Sequence, residues 1–320
     1  AEKPTFDGVK SEYEQFFSRL DEASDREARL QVVHDWDQSL RRLGTWESLV
    51  SLRFEQDTRN EQYKQDRDYA DELRPKLTDL SIKMLRRLLE GELRADVEAK
   101  YGPTCLALWE SEVLTFDPAI ENELVAESKL EAAYTELCAA AELEFQGEKY
   151  NLSTIIKFRQ DPDRNTRHDA ETVLWNWFTE NGEQLDIIFD RQVQLRMLMA
   201  KKLGFPLYVE MAYKRMNRID YDRADVEFYR EQVREHVVPL CTAIRQQQKE
   251  RLGLDELYAY DEPLFDPQGN PKPQGDHDWM IERAKEMFDA VGGGLGEFFR
   301  LMADGGFMDL KSRDGKAGGG

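Results

Sequence analysis

The chain has 320 residues, enough to bury more than one core, and its 40% hydrophobic and 34% charged residues are those of a folded globular protein rather than a disordered one. Its 44 basic and 64 acidic residues leave a formal charge of −20, which repels phosphate backbones and anionic lipid and so excludes nucleic acid and membrane as primary partners. No stretch is apolar for long enough to span a bilayer.

The pattern along the chain is overwhelmingly helical. Tyr13, Phe16, Phe17 and Leu20 fall on one helical face, and Val33, Trp36, Leu40, Leu43 and Trp46 continue a stripe at three- and four-residue steps. Leu73, Leu77, Leu80, Leu85 and Leu88 make another stripe, with Pro75 inside it. An interior proline costs a helix about 3 kcal/mol, which predicts a kink or a fresh start near that residue. Gly91 and Gly102-Pro103 punctuate the next segments, and Asp117-Pro118 and Asp161-Pro162 read as helix entries, with aspartate as cap and proline first in the helix.

One β excursion interrupts the helices. In "LEFQGEKYNL" the apolar residues Leu143, Phe145, Tyr150 and Leu152 alternate about Gln146-Gly147, which predicts a hairpin over 143–152. Further helices are expected over 185–203, closed by Gly204, and from about 222 to 253. The stretch from Tyr260 to Asp278, dense in Pro, Gly, Asp and Asn, is a long loop. A final helix pair from Trp279 to Phe307 is broken at "VGGGLGE". The fold class is all-α, built of multi-helix lobes with one small hairpin.

No motif for chemistry is complete. "VGGGLGE" follows a helix and lacks the last glycine of a dinucleotide loop. "DGKAGGG" holds Leu310 and Ala317 where a Walker A loop needs Gly and Ser or Thr. The four histidines, His34, His168, His236 and His277, share no helix face, and no His-Glu-x-x-His occurs. His34-Asp35, His168-Asp169 and His277-Asp278 are His-Asp pairs of the kind helical phosphohydrolases use for metal, although adjacency is cheap in a chain so rich in aspartate. Trp175, Trp177 and Phe178 read as core aromatics. The three cysteines, Cys105, Cys138 and Cys241, form no redox or zinc spacing, and the opening "AEKPTFDGVK" has no leader-like pattern; together they point to the cytoplasm.

Several longer phrases resemble the oligoendopeptidase F family of thimet-oligopeptidase-like zinc metallopeptidases. They are "YGPTCLALWESEVLTFDPAIENELVAESKLEAAYTEL", "LEFQGEKYNLS" with "DPDRNTRHDA", "MAKKLGFPLYVEMAYKRMNRIDYDRADVEFYREQVREHVVPL", "RLGLDELYAYDEPLF" and "GEFFRLMADGGFMDLKSRDGKAGGG", in that order. The resemblance implies a two-lobed helical protein with a deep cleft for short peptides. It divides the chain into an N-terminal helical region (1–111), a helical domain with the hairpin (112–182), and the front part of the catalytic domain (183–320).

In that family a His-Glu-x-x-His helix, following shortly after the glycine-rich segment, supplies two zinc ligands and the water-activating glutamate. A further glutamate ligand lies beyond. None of these can be carried onto this chain, so the expected catalytic and metal residues are none. No Zn2+ is expected to bind here, although the full-length family uses it. Gly318, Gly319 and Gly320 are the candidate substrate-binding residues, a cleft edge where a peptide backbone approaches without meeting side chains. Three readings follow: the N-terminal portion of an oligoendopeptidase lacking its C-terminal half and inactive alone, a stand-alone helical module binding peptides or a partner, and a His-Asp phosphohydrolase. Exposed apolar surface is expected at Trp279, Met287, Phe298, Phe299 and Met302.

Overall fold

The computed structural model describes residues 2–318. Thirteen α-helices and one two-stranded antiparallel sheet make up its regular structure among these residues, together with short 3-10 and π segments. The chain forms two compact units, each drawn from two stretches of sequence: Ala1–Leu137 with Asn181–Val238, and Cys138–Glu180 with Pro239–Gly320.

The first unit begins with three long helices, α1 (Phe6–Glu22), α2 (Arg26–Gln56) and α3 (Glu61–Leu88). Each is capped as its sequence allows: the side chains of Thr5, Asp25 and Asn60 accept from backbone N–H groups of the first turn. The α1 stripe buries Tyr13, Phe16 and Leu20 against Val33 and Trp36 of α2 and Leu80, Leu85 and Leu88 of α3. Burying each such side chain contributes about 1.5–3 kcal/mol. The Trp36 indole donates to the Tyr13 hydroxyl (3.0 Å), which bonds Ser81 (2.7 Å), so this core is polar only where it is satisfied. Trp46 joins a smaller cluster with Val50, Ala70 and Leu73.

Pro75 lies inside α3 and starts no new helix. The proline is buried in the middle of the packed stripe, and the tertiary burial around it holds the helix together where the missing hydrogen bond alone would end it. The unit continues with α4 (Gly91–Tyr101), α5 (Pro103–Leu114) and, after a 3-10 turn at Pro118–Ile120 capped by Asp117, α6 (Glu121–Ala139). Returning in α8 (Gly182–Lys202), α9 (Tyr208–Arg215) and α10 (Arg223–Gln232), the chain adds a cluster of Ile120, Met199, Ala200 and Met211. A capping box at Asp222 opens α10. That helix runs through a π segment, Val233–Val237, into α11 (Val238–Arg251). Here the Val238 N–H reaches back to the Val233 carbonyl, one residue before Pro239, whose own nitrogen has no proton to give.

In the second unit the hairpin is as the sequence predicts. Strands β1 (Leu143–Phe145) and β2 (Glu148–Tyr150) pair Leu143 with Tyr150 and Phe145 with Glu148. Gln146 (φ 53°) and Gly147 (φ 82°) form a two-residue turn of the primed kind, which needs left-handed backbone at both positions. Phe145 and Tyr150 both pack edge-on to Phe158. The entry to α7 (Arg164–Glu180) differs from expectation by two residues. Asp163, not Asp161, caps it, accepting from the Thr166 N–H (2.9 Å), while Asp161 accepts from the Asp163 N–H. A 3-10 segment at Ile155–Gln160 runs up to Asp161 and delays the helix.

The closing helices are α12 (His277–Val291) and α13 (Leu295–Asp304), separated by Gly292, Gly293 and Gly294, all at positive φ. That run of left-handed residues makes "VGGGLGE" a helix break, as read from the sequence. Trp279, Met287 and Phe298 are exposed as expected, but Phe299 stacks on Phe288 at 4.7 Å and Met302 is half-buried. Leu295, Leu301 and Val291 take their place on the exposed face.

Candidate functional site

The segment leading to the candidate glycines, residues 308–318, contains no helix or strand and is fixed by polar contacts within the second unit. Asp309 is the centre. Its carboxylate accepts from both terminal nitrogens of Arg313 (2.8 and 2.9 Å), and Lys316 Nζ lies 3.4 Å from Oδ1 while donating to the Asp309 and Lys311 carbonyls. The hydrogen bonds from Arg313 and the nearby Lys316 charge hold the Asp309 carboxyl down at about 2. Asn151, just after β2, donates to Ser312 Oγ (3.2 Å), and Lys311 pairs with Asp278 of α12 (3.1 Å). Hairpin and α12 thus both hold the approach to the glycines.

Gly318 is exposed, and a Cβ placed on it would meet nothing within 4 Å. Gly319 and Gly320 lie outside the described residues. The lysine of "DGKAGGG" points back to carbonyl oxygens rather than outward, an arrangement unlike that of a phosphate-binding loop.

The second unit also contains a buried ionic centre that sequence reasoning missed. The Asp261 side chain is fully buried and accepts from Arg164 (3.1 and 2.8 Å), Arg167 (2.6 Å) and the Tyr258 N–H (3.1 Å). Burial pushes its carboxyl up, but these hydrogen bonds outweigh that and leave it below the usual range. Arg167 further donates to the Asp161, Pro162 and Tyr260 carbonyls, tying the loop after α11 to the start of α7. The aromatic group on α7 is split rather than uniformly core: Trp177 is buried, while Trp175 is 58% exposed and donates its indole N–H to Glu171 (2.8 Å).

Among the described residues no group of three His, Cys, Asp or Glu side chains is placed to hold a metal ion. His168 Nδ1 sits 3.0 Å from its neighbour Asp169, both exposed, with the Tyr260 ring edge-on to the imidazole. That pair gathers no third ligand among the described residues. No described helix is long and apolar enough to cross a membrane.

A helical fold of this kind is shared with known peptidases. Residues 1–116 match the Peptidase M3 N-terminal domain and residues 157–288 match Peptidase family M3. The chain belongs to peptidase family M3.

Within that family its likeness is to oligoendopeptidase F, the resemblance read from the sequence. PZ peptidase A, solved with an inhibitor, is 36% identical with a TM-score of 0.96, over 99% of this chain and 57% of its own. A Bacillus anthracis str. Ames protein assigned as oligoendopeptidase F is 35% identical with a TM-score of 0.95, over 99% of this chain and 58% of its own. A further oligoendopeptidase F structure gives 34% identity and a TM-score of 0.96, with 99% and 56% covered. The chain thus spans little more than half the length of these relatives. No curated protein sequence matches it.

Proposed function

We propose that these 320 residues are the N-terminal portion of a zinc-dependent cytoplasmic oligoendopeptidase, which cuts internal bonds of short peptides, and that alone they neither bind zinc nor hydrolyse peptides. The observation that carries this is the match to PZ peptidase A at a TM-score of 0.96 over 99% of this chain but only 57% of the relative. Superposition that close argues for a shared fold, and the family resemblance puts the zinc helix in the part of the relatives that this chain does not span.

On this reading residues 1–111 and 112–182 are the N-terminal helical region and the helical domain with the hairpin, and 183–320 open the catalytic domain. Gly318, with Gly319 and Gly320 after it in the sequence, is assigned to the edge of the peptide cleft, where residues without Cβ atoms let an extended substrate lie close; of the three, Gly318 is exposed with open space at its Cβ position.

The test has two arms. The purified chain is mixed with internally quenched short peptides and titrated with Zn2+ by calorimetry; no turnover and no 1:1 binding are expected. Chelator-sensitive hydrolysis or a tight 1:1 isotherm would overturn the inactivity. The native gene is then read past the codon for residue 320. A frame continuing through His-Glu-x-x-His supports the proposal, and a stop codon directly there replaces it with the stand-alone helical module.

A further inference from the structure

The last three helices of the chain have no apolar core of their own. Among the described residues α11 buries only Gln248, α12 buries none and α13 buries only Gly296. Burial is concentrated earlier. Apart from Ile188, Met199, Ala200, Met211 and Leu264, each described apolar side chain that is buried falls before residue 183.

What holds these helices is mostly polar. Gln248 donates to the Glu262 and Leu264 carbonyls (2.9 and 2.7 Å), and Arg245 pairs with Glu262 (2.7 Å). Between α12 and α13, Phe288 stacks on Phe299 and Lys285 pairs with Asp304 (2.9 Å).

Yet all three sequences carry apolar stripes. On α11, Leu240 and Ile244 stand one turn apart and are 60% and 50% exposed, with exposed Cys241 beside them. Met287 and Val291 repeat that step on α12, and Phe298 and Leu301 stand a turn apart on α13; all four are open to solvent. Helices of 14, 15 and 10 residues are near or below the length at which a helix is marginal alone, and they gain most of their stability by burying such a stripe. Apolar faces left this bare mark an interaction surface.

The occupant follows from charge and from the relatives. A net charge of −20 opposes both an anionic lipid surface and a second copy of the chain. The match to Peptidase family M3 spans residues 157–288, so α11 and most of α12 lie within that domain. PZ peptidase A is aligned over 99% of this chain and only 57% of its own, and the rest of its length has no counterpart among these residues.

We propose that the apolar faces of α11, α12 and α13 are a docking surface for amphipathic helices of the polypeptide that follows residue 320 in a longer peptidase, and that the two portions hold together even as separate chains. This surface presupposes the reading of these residues as the N-terminal portion of such a peptidase. It adds that the joint is apolar and noncovalent, and that Cys241 lies inside it.

The experiment compares the 320-residue chain with the full chain encoded by the native gene, and with that full chain carrying a site-specific protease sequence after residue 320. Thiol labelling, resolved by residue in the mass spectrometer, is expected to be fast at Cys241 in the 320-residue chain and about tenfold or more slower in the full chain. After cleavage the two pieces are expected to co-elute in size exclusion with Cys241 still protected. Leu240→Asp with Ile244→Asp, both exposed in the 320-residue chain, is expected to weaken their association by about a hundredfold or more and to separate them. Separation of the unsubstituted pieces, or unweakened association of the substituted ones, would overturn the proposal. So would Cys241 labelling in the 320-residue chain that slows as its own concentration rises, which assigns the face to a second copy. A native gene that stops after residue 320 removes the partner and refutes the N-terminal-portion reading itself. An open frame with Cys241 labelled as fast as in the short chain refutes the docking surface alone. The labelling comparison of the unsubstituted chains decides the matter even if the double variant fails to fold.

Discussion

Asp261 shows how much one carboxylate can hold. Removing a single partner of a buried ion pair leaves uncompensated charge, so Asp261→Ala strands Arg164 and the buried Arg167 and costs about 3–5 kcal/mol. Urea denaturation of the variant, read against wild type, is expected to show that loss, and an unchanged midpoint would refute the role given to the residue. Asp309 makes a prediction in pH. Its folded value of about 2 lies below that of a free aspartate, so its stabilisation is complete above about pH 4 and disappears as pH falls towards 2. Amide exchange over residues 308–318 is expected to accelerate across that window, and to be insensitive to pH in it for Asp309→Asn once intrinsic exchange is subtracted. Neither residue was legible in the sequence. Asp261 finds its arginines 94 and 97 positions away, a pairing no local pattern encodes, and each of the many aspartates looked alike. The cap of α7 was readable in kind but not in place, because a 3-10 segment moved it from Asp161 to Asp163.

Elements were far more legible than residues, because helical period and turn chemistry are local. The stripe of Tyr13, Phe16 and Leu20 is buried as its spacing implies, and Gln146-Gly147 turns the hairpin where left-handed backbone is required. Expectations failed where tertiary packing overrode local preference, as at Pro75, where of the kink or fresh start expected no fresh helix begins, or where the solvent took half of an aromatic cluster, as at Trp175. Helix α2 offers a quantitative test. Gly44 sits in its interior with open space at the Cβ position, so Gly44→Ala gains helix propensity at no steric cost. A stabilisation of about 0.5–1 kcal/mol is expected in thermal or urea melts. A destabilised variant would mean that the helix is packed more tightly at this point than its geometry indicates.

At the scale of the whole molecule, two opposing terms decide how the chain behaves in solution. Apolar residues recur on exposed faces at helical spacing: Phe189, Val193 and Met197 on α8, Leu240 and Ile244 on α11, and Phe298 and Leu301 on α13. Stripes of this kind differ from scattered surface leucines, since each is the face a helix normally buries. The same spacing in α1 is covered by α2 and α3. Against association stands a net charge of −20, whose repulsion acts over a Debye length of roughly 30 Å at 0.01 M salt but only about 8 Å at 0.15 M. Charge is therefore expected to win at low ionic strength and the apolar faces at higher ionic strength. Light scattering should show growth in mean mass with added salt and with protein concentration, accompanied by enhanced fluorescence of a hydrophobic dye. That direction is diagnostic, because an assembly held by ion pairs would dissolve as salt rises. A chain that stays monomeric and dark to the dye at every salt concentration would show that these faces are not sticky, and would count against their being surfaces that the rest of a longer fold covers.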